Sequence, residues 1–120
     1  MQINSVLGIM GDGGQNSARL KSYIGLARRA NKLALGQDNV LKAILSRQAM
    51  LVLISEDCGT AAARQIKGKS KTASIPVLIA GTREEFGQAV GIPACSALAV
   101  LDEGFAQLIK KVCNREQVED

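Results

Sequence analysis

Apolar residues recur at helical spacing through Leu20, Ile24, Ala27 and Ala30, while Arg19, Lys21, Arg28 and Arg29 fall largely off that stripe. The pattern predicts an amphipathic helix that Asn16 or Ser17 can cap. A short extended piece, Leu33 to Leu35, then meets Gly36. A second helix is predicted from Asp38 or Asn39, with Val40, Leu41, Ile44 and Leu45 as its apolar face. Residues 50–56 read as a strand whose apolar run is continuous rather than alternating, as in a sheet covered on both faces by helices. Residues 60–73 read as a basic helix weakened by Gly68, and residues 76–80 as another buried strand. Thr82 can cap the next helix, with Glu84 and Glu85 in the first turn, where the helix dipole favours acids. Residues 97–101 form a further apolar strand, and Asp102 opens a last helix through Phe105, Leu108, Ile109 and Val112. Strands alternating with helices at this short spacing predict an α/β sandwich with a sheet of about four strands.

The glycine cluster at Gly11, Gly13 and Gly14 interrupts any periodicity near the start. Residues 1–15 are therefore expected as a flexible tail, residues 16–115 as one domain and residues 116–120 as a C-terminal tail. A chain of 120 residues is long enough to bury one real core.

Composition narrows the chemistry. Tyr23, Phe86 and Phe105 are the only aromatic residues, so a surface that stacks successive bases on aromatic rings is not available. The longest apolar run, residues 50–54, falls far short of the roughly 20 residues needed to span a bilayer, and no charged n-region precedes an apolar patch. A cytoplasmic protein that neither crosses a membrane nor is exported is expected. Cys58, Cys95 and Cys113 contain no C-x-x-C pair, which argues against a disulfide framework and a thiolate zinc site. There is no histidine, so imidazole-dependent triads and His-based metal sites are excluded. No cofactor or small-molecule motif is present, and no catalytic residue is assigned.

Charge is unevenly spread. Residues 13–83 hold 12 Lys/Arg against three acids, +9, whereas residues 84–120 hold three Lys/Arg against seven acids, −4. That asymmetry suits a polyanionic partner or, equally, a solvated basic face.

The series Gly36-Gln37-Asp38-Asn39-Val40-Leu41-Lys42-Ala43-Ile44 is followed by Leu51-Val52-Leu53-Ile54-Ser55-Glu56-Asp57, Ile75-Pro76-Val77, Phe86-Gly87-Gln88-Ala89-Val90-Gly91 and finally residues 97–106. It resembles the kink-turn RNA-binding family of ribosomal proteins, of the archaeal L-seven-Ae and eukaryotic L-thirty-e type, and within it the bacterial YlxQ-like branch most of all. The resemblance covers nearly everything after the tail, in order. It implies a three-layer α/β/α sandwich with a mixed sheet of about four strands. RNA would be held by the loop before the second helix, that helix's first turns and the loop before the last strand.

Those positions make chemical sense without the resemblance. Gly36 lets backbone approach a ligand closely, and free amides at a helix N-terminus receive phosphate oxygens. Gln37 and Asn39 add side-chain amides, Lys42 offers a point charge one turn into the helix, and Lys32 is an auxiliary charge. The plainer reading is that Gly36 turns the chain, Asp38 caps the helix and Lys42 is solvated. The chain departs from the family pattern of Gly, any residue, Asn, Glu, two residues and Lys, because Asp38 stands at the Asn position and Asn39 at the Glu position. An ionised carboxylate only accepts hydrogen bonds and is repelled by phosphate, although it can accept from a guanine edge or a cytosine amine.

The second loop, Gly91-Ile92-Pro93-Ala94-Cys95-Ser96, offers small and apolar residues that can pack on an extruded base, or is an ordinary turn stiffened by Pro93. Ile92, Pro93, Ala94 and Cys95 are its candidate contacts. Glu56 and Asp57 close the central strand with no partner base, so they orient basic residues or the loop, or cap the helix that begins at Thr60. Gly68-Lys69-Ser70 lacks the first glycine and preceding strand of a phosphate loop. Arg64, Lys67 and Lys71 fit a solvated helix face. The expected function is non-catalytic recognition of a kinked or internally looped RNA in a ribosomal or translational setting, with ribosomal or translation-factor proteins as further partners. The alternative is a protein-interaction module on the same fold that has lost kink-turn recognition.

Overall fold

The computed structural model describes residues 6–117, with side chains over residues 17–113. Nine elements follow one another: α1 (Val6–Arg29), β1 (Leu33–Leu35), α2 (Gln37–Leu45), β2 (Leu51–Ile54), α3 (Thr60–Thr72), β3 (Val77–Ile79), α4 (Arg83–Val90), β4 (Ala97–Val100) and α5 (Glu103–Gln117). The strands form one sheet in the order β1-β4-β2-β3. It is mixed: β2 and β3 run parallel, and β4 is antiparallel to both β1 and β2.

Period-two alternation of side chains divides the apolar runs between two cores. Leu51, Leu53, Leu98 and Val100 join Leu20, Ile24 and Ala27 of α1, Phe86 and Val90 of α4, and Ala106 and Ile109 of α5. Val52, Ile54, Ala97 and Ala99 face the other way, onto Val40, Ala43 and Ile44 of α2 and Ile66 of α3. The three-layer sandwich expected from sequence is therefore present, and every residue of β2 and β4 is buried. Ala97 and Ala99 keep the layer under α2 thin, so this helix lies close on the sheet.

Local signals account for most boundaries. Thr82 Oγ1 accepts from the Glu85 N–H at 3.1 Å, the Glu85 carboxylate accepts from the Thr82 N–H at 3.0 Å, and Gly91 ends α4 in the left-handed conformation at φ 86°. The first helix starts at Val6, not at the expected Asn16 or Ser17, and residues 6–15 form its opening turns; residues 1–5 and 118–120 of the expected tails lie outside the described residues. Glycine discourages nucleation, but extending a helix already formed fixes one residue per added hydrogen bond and is far easier. Helix α3 likewise continues through Gly68.

On the buried side of α3, the Ser70 hydroxyl is fully enclosed and has no hydrogen-bond partner. Burying an unpaired hydroxyl costs about 1–3 kcal/mol. Ser70→Ala should accordingly raise stability by about 1 kcal/mol, seen as a thermal midpoint a few degrees higher. A lower midpoint would mean that the hydroxyl is paired in solution.

Candidate nucleic-acid interface

Two loops meet at one end of the sheet because β1 and β4 are neighbours, with Leu35 opposite Leu98. Gly36 leaves β1 at φ 89° and ψ 159°, a conformation open essentially to glycine alone, and its N–H donates to the Ala97 carbonyl at 3.0 Å. Helix α2 starts directly behind it, with Gly36 as its N-cap and no side chain capping its first amides. Asp38 is therefore exposed in the first turn and is not the cap, which corrects the expectation that Asp38 or Asn39 begins the helix. The amides of Gln37, Asp38 and Asn39 precede the first in-helix bond, Val40 N–H to Gly36 O at 2.9 Å, and stay available to an anion.

The side chains on this turn divide their work. Gln37 Nε2 donates to Gln65 Oε1 of α3 at 2.6 Å, so its amide ties two helices together as well as flanking the loop. Asn39 Nδ2 donates to the Leu35 carbonyl at 3.0 Å. That bond leaves the Asn39 amide oxygen as a fixed acceptor, which partly answers for the glutamate that the family pattern places there. Lys42 is exposed one turn on, beside Asn39 and Ser46.

The second loop is held from three sides. Gly87 O accepts from the N–H groups of Gly91 and Ile92 at 2.8 and 2.9 Å, Cys95 N–H donates to Arg83 O at 3.0 Å, and Ser96 O accepts from Ser55 N–H at 2.9 Å. Ile92, Pro93 and Ala94 are exposed, as a surface for a base requires. Cys95 is not: it is buried, and its Sγ donates to Ala97 O, the same carbonyl that Gly36 bonds, at 3.2 Å. Burial pushes the Cys95 thiol up from its ordinary pKa, partly offset by the backbone of Ala97 and Gly36, which suits a thiol donor inside its own loop. Cys95, expected among the ligand contacts, is thus buried beneath the exposed tip.

Two further expectations change. Lys32 is exposed but lies at the opposite end of β1 from Gly36, its carbonyl bonding Leu101 N–H at 2.8 Å. At about 3.3 Å per residue that is roughly 13 Å along the strand, so the fold does not bring it to the two loops. Asp57 does not cap α3, but it does orient a basic residue, as the other reading had it: its Oδ1 accepts from the Arg83 N–H at the start of α4 at 2.9 Å and its Oδ2 lies 3.7 Å from Arg83 Nε. The Arg83 N–H is the main cause holding the Asp57 carboxyl below its ordinary value. Gln65 and the Ala97 carbonyl carried no local signal as site residues, since both gain their roles through partners distant in sequence.

A mixed four-stranded sheet with helices on both faces and two loops joined at one end is a small three-layer α/β/α sandwich. The chain belongs to the ribosomal protein L7Ae/L30e/S12e/Gadd45 family, whose model matches residues 18–110. It is 36% identical over 83 residues to the RNA-binding protein YlxQ of Bacillus subtilis, covering 69% of this chain and 83% of that protein. It is 33% identical over 93 residues to the large ribosomal subunit protein eL30 of Tetrahymena thermophila, covering 76% and 89%. A solved structure of a Bacillus halodurans protein of unknown function superposes with a TM-score of 0.78 at 32% identity, covering 81% of this chain and 98% of that one. The 15.5kD RNA binding protein of Giardia lamblia has the same fold, with a TM-score of 0.69 at 13% identity over 86% and 88%. The resemblance read from sequence, including the YlxQ-like branch, is thereby established. The named relatives are RNA-binding and ribosomal proteins, in keeping with a chain that is not an enzyme. Among the described residues no helix is long and apolar enough to cross a membrane.

Proposed function

We propose that this protein is a non-catalytic RNA-binding module, ribosome- or translation-associated, that recognises a kinked or internally looped RNA with residues 36–39, Lys42 and the exposed part of the 91–96 loop. The observation that carries this reading is the junction at Ala97 O. One carbonyl accepts from both Gly36 N–H and Cys95 Sγ, so the uncapped amides of α2 and the loop that carries the exposed Ile92-Pro93-Ala94 tip join at the same end of the sheet. Amides and Lys42 suit phosphate, and the apolar tip suits an unstacked base and its ribose. The RNA-binding and ribosomal relatives support the same assignment.

The test is a titration against a kink-turn RNA with tandem sheared G·A pairs, an internal-loop RNA and a matched straight duplex, at two salt concentrations. Preference for the bent or looped RNA is expected; equal, strongly salt-sensitive binding to all three would reduce the interaction to generic electrostatics. No RNA affinity, with a protein partner retained after nuclease treatment, would move the assignment to a protein-interaction module. Lys42→Ala should weaken binding several-fold and lower the salt slope by about one unit, the signature of one lost phosphate contact. An unchanged slope would remove Lys42 from the interface.

A further inference from the structure

Behind the N-terminus of α2 the surface continues into a groove of about 670 Å³ between the end of α1, β1 and α2. Asn39, Lys42 and Ser46 form one wall, at the i, i+3, i+7 spacing of a single helix face. Arg28 stands on the other wall, with Gln48 and the apolar Leu101 among the remaining lining residues, and no acid lines the groove. Among the described residues neither Arg28 nor Lys42 belongs to an ion pair. Other grooves carry basic residues under different terms: over α3, Arg64 and Lys67 share theirs with Glu56, and beside α4, Lys21 Nζ already donates to Gln88 Oε1 at 3.1 Å.

Arg28 owes its position to the way α1 ends. Ala27 is buried in the core, so the next residue turns about 100° away from it, toward β1 and α2, and Arg29 turns further still. Arg29 lines a different groove, with Lys21 and Gln88 against α4. Two adjacent arginines are thus sent to two separate surfaces. Asn31, at φ 62°, then reverses the chain, with its N–H bonded to Arg28 O at 3.0 Å and Lys32 N–H bonded to Ala27 O at 2.9 Å, which fixes the last turn under Arg28.

We infer that the RNA footprint extends from the α2 N-terminus into this groove, and that Arg28 and Lys42 together hold one backbone phosphate there. The inference rests on the RNA-binding reading above. Two uncompensated cations across a cleft without acids create a local positive field, and the guanidinium adds a planar fork of donors that lysine lacks. Asn39 and Ser46 add neutral polar groups on the Lys42 wall for the adjoining sugar.

The experiment compares wild type, Arg28→Ala, Arg29→Ala, Lys42→Ala and the Arg28→Ala/Lys42→Ala double variant in the RNA titration already described, with circular dichroism confirming the fold of each. Arg28→Ala is expected to lose several-fold in affinity with a shallower salt slope, by less than about one unit because Lys42 still holds the shared phosphate, and Arg29→Ala to match wild type. If the two cations share a phosphate, the double variant loses less than the product of the single losses. Equal losses for Arg28→Ala and Arg29→Ala would show a general charge effect and overturn the groove. So would wild-type affinity in Arg28→Ala while Lys42→Ala is impaired, an outcome that leaves the RNA-binding reading standing. Absence of binding by wild type to every RNA overturns that reading, and the groove with it.

Discussion

Gly87→Ala is expected to lower the stability of the fold by about 3 kcal/mol and to impair RNA binding by displacing a loop it does not belong to. A Cβ at this position would lie 2.5 Å from Ile92 O and 2.9 Å from both the N and Cα of Ala94, all of them backbone atoms. No rotamer change relieves such a contact. Helix α4 cannot readily retreat either, because Phe86 on one side of Gly87 and Val90 one turn on are both buried in the larger core. Overpacking of this kind costs about 1–3 kcal/mol and sometimes more, and the upper end applies where neither neighbour is a side chain. For a chain of this size the thermal midpoint should fall by roughly 10 °C. Gly68→Ala is the matched control: it lies in α3 with nothing within 4 Å of its would-be Cβ, so the same substitution should stabilise by up to about 1 kcal/mol. Destabilisation by both would indicate a general intolerance of methyl groups, and a neutral Gly87→Ala would mean that the 91–96 loop yields freely. In that second case the loop could not be the preformed half of an RNA site.

This glycine shows where sequence reading ends. The motif around Phe86 and Gly87 was legible as part of a family pattern, but the reason for a residue without a side chain lies in backbone five to seven positions away, brought in by the turn at Gly91. Features set by local chemistry were largely readable: the Thr82 cap, and the continuous apolar runs of β2 and β4 that require helices on both faces. Features set by the packing of distant elements were not. Gln37 finds Gln65, and Asp57 finds Arg83, only after β2, α3 and α4 are in place. Cys95 was readable as a loop residue, whereas its inward turn depends on Gly36 and Ala97 reaching the same edge of the sheet. Lys32 errs in the opposite sense, near Gly36 in sequence and carried away from it by the extended length of β1. Arg28 and Arg29 are indistinguishable in a list of cations and differ only by 100° of helix rotation.

Asp38→Asn is expected to raise affinity for a kink-turn RNA by about tenfold while lowering the stability of the free protein by a few tenths of a kcal/mol. The two effects have separate causes. In the first turn of α2 the Asp38 carboxylate sits where the helix dipole favours negative charge, a contribution of about 0.3–1 kcal/mol that asparagine gives up in part. Against RNA the same charge opposes every phosphate near the uncapped amides, and it brings no donor. An asparagine there removes the repulsion and adds two N–H donors, and a well-placed amide contact to a base edge discriminates by about 1–3 kcal/mol. A gain of 1.4 kcal/mol is a factor of about ten. Salt separates the two parts, because relief of repulsion fades as ionic strength rises and a direct hydrogen bond does not. A gain that persists at high salt and is confined to the kinked RNA would assign base recognition to position 38. One that vanishes at high salt and appears equally on a straight duplex would reduce Asp38 to a local charge. No gain on any RNA would place position 38 outside the interface, and the proposed contact between the start of α2 and RNA would fall with it.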